Sequence, residues 1–387
     1  MTRKDFLAAL GAGAVTPQML KSSPESKPAS GGSPPVLKLS ELCSLDDVEA
    51  QARSVMLSSV YDYVSAGAAD ELTTRWNREK YRELRLQAEV LTNVSQLDCT
   101  TTLLGQRMKM PILLAPTSNH RLVHPEGELA TARGAGLAEA TMVLSNGANT
   151  SVEDVLRVAT QPVWFQLYVD PDRGLARELV QRVEAAGAKA LCVTVDAPID
   201  GARNRPDRNP VVIPPGVGYP NYLSKADLVA LQSLEGVHPP LLEWRDIEWI
   251  RSLTKLPVLL KGIMNPRDAD TAVKLGIDGI MVSNHGGRCL DTQPATIEVL
   301  PRVVAQVNGR VPVIVDGGIR RGTDVIKAIA LGASAVQIGR PYLYGLAVGG
   351  AEGVAYVVKL LRQELLMAMA LLGRSTLAQI DRTVLWH

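Results

Sequence analysis

The chain has 387 residues, 46% of them hydrophobic and 21% charged, and 41 basic against 40 acidic side chains leave a formal net charge of +1. That balance excludes a strongly cationic nucleic-acid binder and an acidic disordered tail, and an aromatic content of 4% argues against stacking platforms for single-stranded nucleic acid. The length fits two or three average domains, or one large α/β barrel with additions.

The chain opens Met1-Thr2-Arg3-Lys4-Asp5-Phe6-Leu7 and continues in a short, mildly apolar run to Val15. Two basic residues ahead of Phe-Leu resemble a twin-arginine export signal, with lysine as the second basic residue. Residues 20–35 have the Ser, Pro, Gly and Lys composition of a flexible linker. Residues 1–36 are therefore expected to be a signal and linker, with folding from Leu37. The protein is expected in the cytoplasm, or in the periplasm if the signal is real. No run reaches the eighteen or so apolar residues of a membrane helix, so no integral membrane segment is expected. Cys43, Cys99, Cys192 and Cys289 form no close pair, which reads as neither a disulfide framework nor a metal site.

Residues 37–108 are expected to be an N-terminal helical segment, because Val48, Ala52, Val55, Met56 and Val60 recur at helical spacing. From residue 109 to 387 short apolar runs alternate with helical stretches. The runs are residues 111–116, 141–145, 163–169, 190–195, 257–261, 279–283, 311–316 and 335–338. Near-continuous apolar runs suit parallel strands buried on both faces. Helical patterns at 127–137, 152–158, 174–186, 266–275, 296–307 and 323–331 separate them. Eight such units predict an α/β protein built as a (β/α)8 TIM barrel, with the helical segment at its N-terminus and a closing C-terminal helix at 353–372. The connection between strands four and five, residues 198–256, is long and rich in Pro, Arg and Gly near its start, as an active-site excursion would be.

Such barrels do chemistry at the C-terminal ends of their strands. The residues ending the eight runs are Thr117, Ser145, Gln166 with Tyr168, Thr194 with Asp196, Lys261, Ser283 with His285, Asp316, and Arg340. In Ser283-Asn284-His285-Gly286-Gly287-Arg288 a histidine stands on a Gly-flanked loop three residues from an arginine. Imidazole is the usual general base near neutral pH, and guanidinium is a planar fork for a carboxylate. The pair suits an α-substituted acid. Asp316-Gly317-Gly318-Ile319-Arg320 and Gly339-Arg340-Pro341 end the last two strands. Glycines there let backbone N–H groups approach an anion, which implies a phosphorylated cofactor or substrate. Lys261 could form a Schiff base or place charge beside an electron-accepting ring; the neighbouring His and Arg favour the latter.

These motifs, with Leu290-Asp291, His124-Pro125-Glu126-Gly127-Glu128, Gln166-Leu167-Tyr168 and Tyr61-Asp62-Tyr63, resemble those of the FMN-dependent α-hydroxy-acid oxidising enzymes. The resemblance runs from about residue 60 to 371. It implies FMN as cofactor, oxidation of an (S)-2-hydroxy acid to the 2-oxo acid, oxygen or a quinone-type carrier as acceptor, and a homotetramer. It also implies His285 as catalytic base, oriented by Asp196, with the substrate carboxylate on Arg288 and Arg203. Tyr63 and Tyr168 would hydrogen-bond the substrate, Tyr168 with a part in catalysis. Lys261 would balance charge on the reduced ring. Pro116, Thr117 and Ser118 would line the ring, and Ser145, Gln166, Thr194 and Ser283 would bind it. Asp316 would hold the ribityl chain, and Gly317, Gly318, Arg320, Gly339 and Arg340 would surround the phosphate.

The chain departs from the family pattern at three places. Ser118 stands where Ala or Gly is common and is followed by the unusual pair Asn119 and His120, Gly147 stands where glycolate oxidases carry a bulky aromatic, and Asn204-Arg205-Pro206 where an acidic follow-up is usual. Gly147 in particular predicts room for larger 2-hydroxy acids. Two rival readings are a flavoenzyme like type II isopentenyl-diphosphate isomerase and a non-catalytic flavin-binding module. The first does not explain His285 with Arg288 and Asp196; the second predicts decay of positions that are all present.

Overall fold

The computed structural model describes residues 37–222 and 242–386, so the expected signal and linker lie outside the described residues. A two-stranded hairpin, β1 (Thr101–Leu103) and β2 (Gln106–Met108), precedes the main sheet. The eight strands of that sheet are β3 (Ile112–Leu114), β4 (Met142–Ser145), β5 (Val163–Leu167), β6 (Leu191–Thr194), β7 (Val258–Lys261), β8 (Gly279–Val282), β9 (Val313–Val315) and β10 (Ala335–Ile338). They run parallel in chain order, and β10 pairs with β3 to close the barrel. The predicted (β/α)8 barrel is therefore the observed fold. All but the last strand are shorter than their apolar runs, most clearly the first, where Pro111 and Pro116 lack the N–H needed to extend the ladder.

Two departures from the sequence reading concern the segments outside the barrel. Residues 37–108 are not helical throughout. Helices Leu45–Val55, Ser58–Ser65 and Leu72–Glu83 give way to extended chain and then to the hairpin. Leu104 and Gly105 turn it with φ of 51° and 74°, the paired left-handed conformation of a tight two-residue connection. The hairpin plugs the N-terminal end of the barrel: Leu103 and Met108 pack into its interior, and the Trp164 indole N–H donates to Gln106 Oε1 at 3.0 Å. The expected closing helix is preceded by a further helical stretch. Together they span Arg340–Leu371, with Pro341 in the first turn and a break between the two parts at Gly349 and Gly350, where φ reaches 55° at Gly350.

Side chains alternate across a strand, so every second residue faces the barrel axis. Leu113, Val143, Trp164, Cys192, Leu259, Met281, Ile314 and Ala335 form the apolar interior cluster. Two residues further along each strand, the same face carries Ala115, Ser145, Gln166, Thr194, Lys261, Ser283, Asp316 and Gln337. The barrel therefore changes from wholly apolar to almost wholly polar within one step of the pleat, at its C-terminal end. The larger cluster, between sheet and helices, includes Leu114, Phe165, Leu260, Leu300, Val325 and Leu361.

The long excursion holds a short helix, Asn204–Arg208, and ends in the helix Trp244–Leu253. Arg205 pins its start: Nε and Nη2 donate to the two carboxylate oxygens of Glu71 at 2.7 and 3.0 Å, and Nη1 to Asp62 Oδ1 at 3.1 Å. The departure noted at Asn204-Arg205-Pro206 is thus matched by acidic partners on the N-terminal segment.

Candidate active site

One cavity of about 520 Å³ opens over the polar tier. Its lining includes Tyr63, Pro116, Thr117, Ser118, Ser145, Tyr168, Arg203, Lys261, His285, Arg288, Asp316, Gly317, Gly318, Arg320, Gly339 and Arg340, all expected from sequence. The remaining expected residues border it as part of the tier or as partners of its members.

His285 follows β8 with φ of 57°, and Gly286 and Gly287 continue at 64° and 74°. Three successive left-handed residues turn the chain sharply, and a non-glycine residue held there is strained. The local bonds hold it: the His285 N–H donates to Ser283 Oγ at 3.1 Å, and Ser283 Oγ donates to Asp316 Oδ2 at 2.8 Å. Asp291 accepts from the N–H groups of Asp70 and Thr73, tying this loop to the helix Leu72–Glu83. Asn77 and Asn284 exchange two side-chain hydrogen bonds of 2.9 Å across the same joint.

The imidazole lies between two groups. Nδ1 is 2.9 Å from Asp196 Oδ1, and Nε2 is 3.4 Å from the Tyr168 hydroxyl. Burial and the Lys261 charge disfavour the imidazolium, but the charge and hydrogen bond of Asp196 outweigh them, and the His285 pKa is raised. Burial pushes the Asp196 carboxyl up, while Lys261 and His285 pull harder, so it ends below its ordinary value. Burial also opposes charge on Lys261, yet Asp196 and Asp316 raise its pKa. Burial lifts Asp316, only partly countered by Lys261. The Tyr168 hydroxyl is raised well above its ordinary value by burial, so it stays protonated.

The arginines divide their work. Arg288 Nη1 donates to the carbonyls of Tyr63 and Ala66, both at 2.9 Å, and lies 3.3 Å from that of Val64. Arg340 donates through Nε to Val64, through Nη1 to Gly286 and through Nη2 to Ala66. Both therefore satisfy open carbonyls at the C-terminal end of the helix Ser58–Ser65, which carries Tyr63. Burial first, then Arg203 and Arg340, disfavour the Arg288 charge. Arg203 Nε is buried without a hydrogen-bond partner, and Nη2 donates to Asp200 at 3.2 Å. This cluster of crowded cations is suited to an anion. Arg320 Nη1 donates to Ile319 O, and burial and Arg78 hold its pKa down to about 10.

At Gly318 a Cβ would lie 1.8 Å from Asn77 O, and φ is 83°, so close helix packing and backbone conformation both require glycine. A Cβ at Gly339 would meet only ordinary contacts, so that site stays open toward the cavity.

Sequence reasoning missed several lining residues. Asn119, Leu122, Val211, Ile213, Tyr219 and Tyr222 also line the cavity. The Asn119 amide donates to the Tyr63 hydroxyl at 2.9 Å. Glu128, fully buried, accepts from the N–H groups of His120 and Asn149 and from Thr150 Oγ1, which fixes this rim. Of these the sequence marks only Asn119, as an unusual residue after Ser118, and gives it no role; loop residues without periodicity carry no such signal. At Gly147 a Cβ would stand 2.5 Å from Ser118 Oγ, so the space vacated by an aromatic is partly taken by Ser118.

The sequence model of the family described as FMN-dependent dehydrogenase matches residues 52–387. The chain is similar to L-lactate oxidase from Nostoc sp., at 46% identity, covering 90% of this chain and 99% of the relative. It is similar to glycolate oxidase from Spinacia oleracea, at 42% identity, covering 89% and 95%. Its fold is similar to that of mandelate oxidase, with a TM-score of 0.82 at 38% identity, covering 88% and 97%. The chain belongs to the FMN-dependent dehydrogenase family: it is an oxidoreductase with FMN as cofactor. The residues present fit that group. Gln166 Nε2, Thr194 Oγ1 and Asp316 Oδ1 are buried in the polar tier without hydrogen-bond partners, as atoms awaiting a polar ring and polyol would be. Among the described residues no cluster could hold a metal ion and no helix is long and apolar enough to cross a membrane.

Proposed function

We propose that this member of the FMN-dependent dehydrogenase family oxidises an (S)-2-hydroxy acid to its 2-oxo acid, with His285 as the base. The observation that carries the assignment is the His285–Asp196 pair, in which His285 lines the same cavity as Tyr168, Arg288 and Lys261. When bound, FMN supplies the acceptor for the two electrons leaving the substrate α-carbon. Arg288, with Arg203, holds the carboxylate and so fixes the α-carbon. Tyr63 and Tyr168 bind the substrate through their hydroxyls. His285 Nε2 takes one proton, and Asp196 offsets the charge that the imidazole gains. Lys261 offers a buried positive charge to the electron acceptor.

Gln166 and Thr194 would bind the ring through their unpartnered atoms, with Ser145, Ser283, Pro116, Thr117 and Ser118 around it. Asp316 would take the ribityl chain. Gly317, Gly318, Gly339 and Arg320 would surround the phosphate, with Arg340 bracing the backbone there.

The substrate class we favour is 2-hydroxy acids of four or more carbons. Gly147 lacks a side-chain wall, and Leu122, Val211 and Ile213 make the nearby lining apolar. The relatives named as oxidases support oxygen as acceptor. We read the chain as a homo-oligomer, a tetramer: Val90, Leu91, Leu371 and Trp386 are exposed on strands of chain that hydrogen-bond one another through Glu89–Leu372 and Arg85–Trp386. Light scattering on purified protein gives the copy number. Anaerobic flavin bleaching with a panel of 2-hydroxy acids, followed by oxygen uptake, tests the activity. No bleaching by any member removes the assignment.

A further inference from the structure

We propose that Gln337 is a further cofactor-binding residue, holding the ribityl hydroxyls of FMN from the floor of the cavity; the proposal rests on the cofactor reading above. Gln337 follows Ala335 by two residues on β10, and Ala335 belongs to the apolar interior. Its side chain therefore points to the barrel axis, is 1% exposed and lines the cavity. It is the β10 member of the polar tier: it stands opposite Leu113 of β3, one residue past the Val336–Val315 pair with β9, whose next residue is Asp316.

Both ends of this amide, Oε1 and Nε2, are buried without a hydrogen-bond partner. Burying an amide with neither end satisfied is costly, and an apolar residue of the same volume would avoid that cost. Leu113 opposite it, and Ala335 and Ile314 one step below, are apolar and offer it nothing. A partner must therefore come from the cavity, and it must both accept and donate. A hydroxyl does both. The adjacent Asp316 Oδ1 is likewise unpartnered and can accept from the same kind of group. The glycines at the ends of β9 and β10 lie just beyond, on the side proposed for the phosphate. The stretch of FMN between ring and phosphate is a polyol, which matches an amide with both ends open next to an open carboxylate.

The test uses full-length holoenzyme of Gln337→Leu and of Gln337→Met, the second closer in shape should the first fold poorly. Release of FMN on dilution is followed by the return of flavin fluorescence. Loss of the two hydrogen bonds predicts release faster, and affinity weaker, by about tenfold or more. The stripped chain should melt no lower than wild type, since its unpaired amide is gone. FMN analogues deoxygenated along the ribityl chain should lose affinity for wild type at one position and show no such loss for the variants. Unchanged release, with analogues ranked alike in wild type and variant, overturns the proposal and leaves a buried water as the amide's partner. A wild-type chain that binds no FMN overturns the cofactor reading as well, and is told apart by its lack of flavin absorbance.

Discussion

His285 Nδ1 and Asp196 Oδ1 lie 2.9 Å apart, and this one contact fixes which ring nitrogen faces the cavity. With Nδ1–H given to the carboxylate, Nε2 is the lone pair left for a substrate hydroxyl.

The pH dependence follows from that pairing. To act as the proposed base His285 must be neutral, and its pKa is raised above the ordinary 6.5. Flavin reduction by substrate should therefore climb as pH rises through a value above 6.5. Asp196→Asn removes the charge and acceptor that raise it, so the limb should move to lower pH while the limiting rate falls. Stopped-flow bleaching across pH measures both. A limb that stays in place separates it from the His285–Asp196 pair. The linked stability has the opposite sense: a raised histidine pKa contributes stability below its unfolded pKa and loses it as pH rises through the folded pKa.

His285→Gln should leave the flavin bound and slow its reduction by about 10²–10⁴-fold, the usual loss for a general base. The bound flavin spectrum checks the first part and single-turnover bleaching the second. Near wild-type reduction would take His285 out of the role.

Arg288→Lys should act in two ways. Lysine cannot reproduce the planar fork, so half-saturation by substrate should rise and the rate fall. The change also loosens the carbonyls of Tyr63, Val64 and Ala66, so the melting temperature should drop. A drop in melting temperature with unchanged kinetics would show a bracing role alone.

Substrate size gives a graded series. kcat/KM should rise from glycolate to lactate to acids of four or more carbons, several-fold to tenfold per carbon at about 1 kcal/mol per buried methylene. Gly147→Trp should reverse the order, but only when combined with Ser118→Ala, because a Cβ at 147 would meet Ser118 Oγ at 2.5 Å. A wild-type preference for glycolate, or an unmoved ranking in the double variant, would exclude position 147 from setting size.

Export is tested by fractionating the native host. A form shortened by roughly thirty residues outside the cytoplasm is expected if Arg3-Lys4 begins a signal. Full-length chain confined to the cytoplasm would exclude it.

The sequence by itself determined the barrel, because eight apolar runs between helical patterns have few other ways to bury both faces of every strand. It also determined which residues reach the catalytic end, since a strand's last residues are fixed by register and their types stand out against the apolar run. His285, Lys261 and Asp316 were legible for that reason. Only the tertiary structure decided what those groups do to one another. That Asp196 faces Nδ1, that Arg288 and Arg340 grip one helix end, and that Ser118 takes part of the space at Gly147 all depend on contacts between distant segments. Gln337 shows the boundary most plainly. In sequence it is one polar residue inside an apolar strand; its meaning comes from the closure of β10 against β3, which sets it over an apolar floor with both ends unpaired.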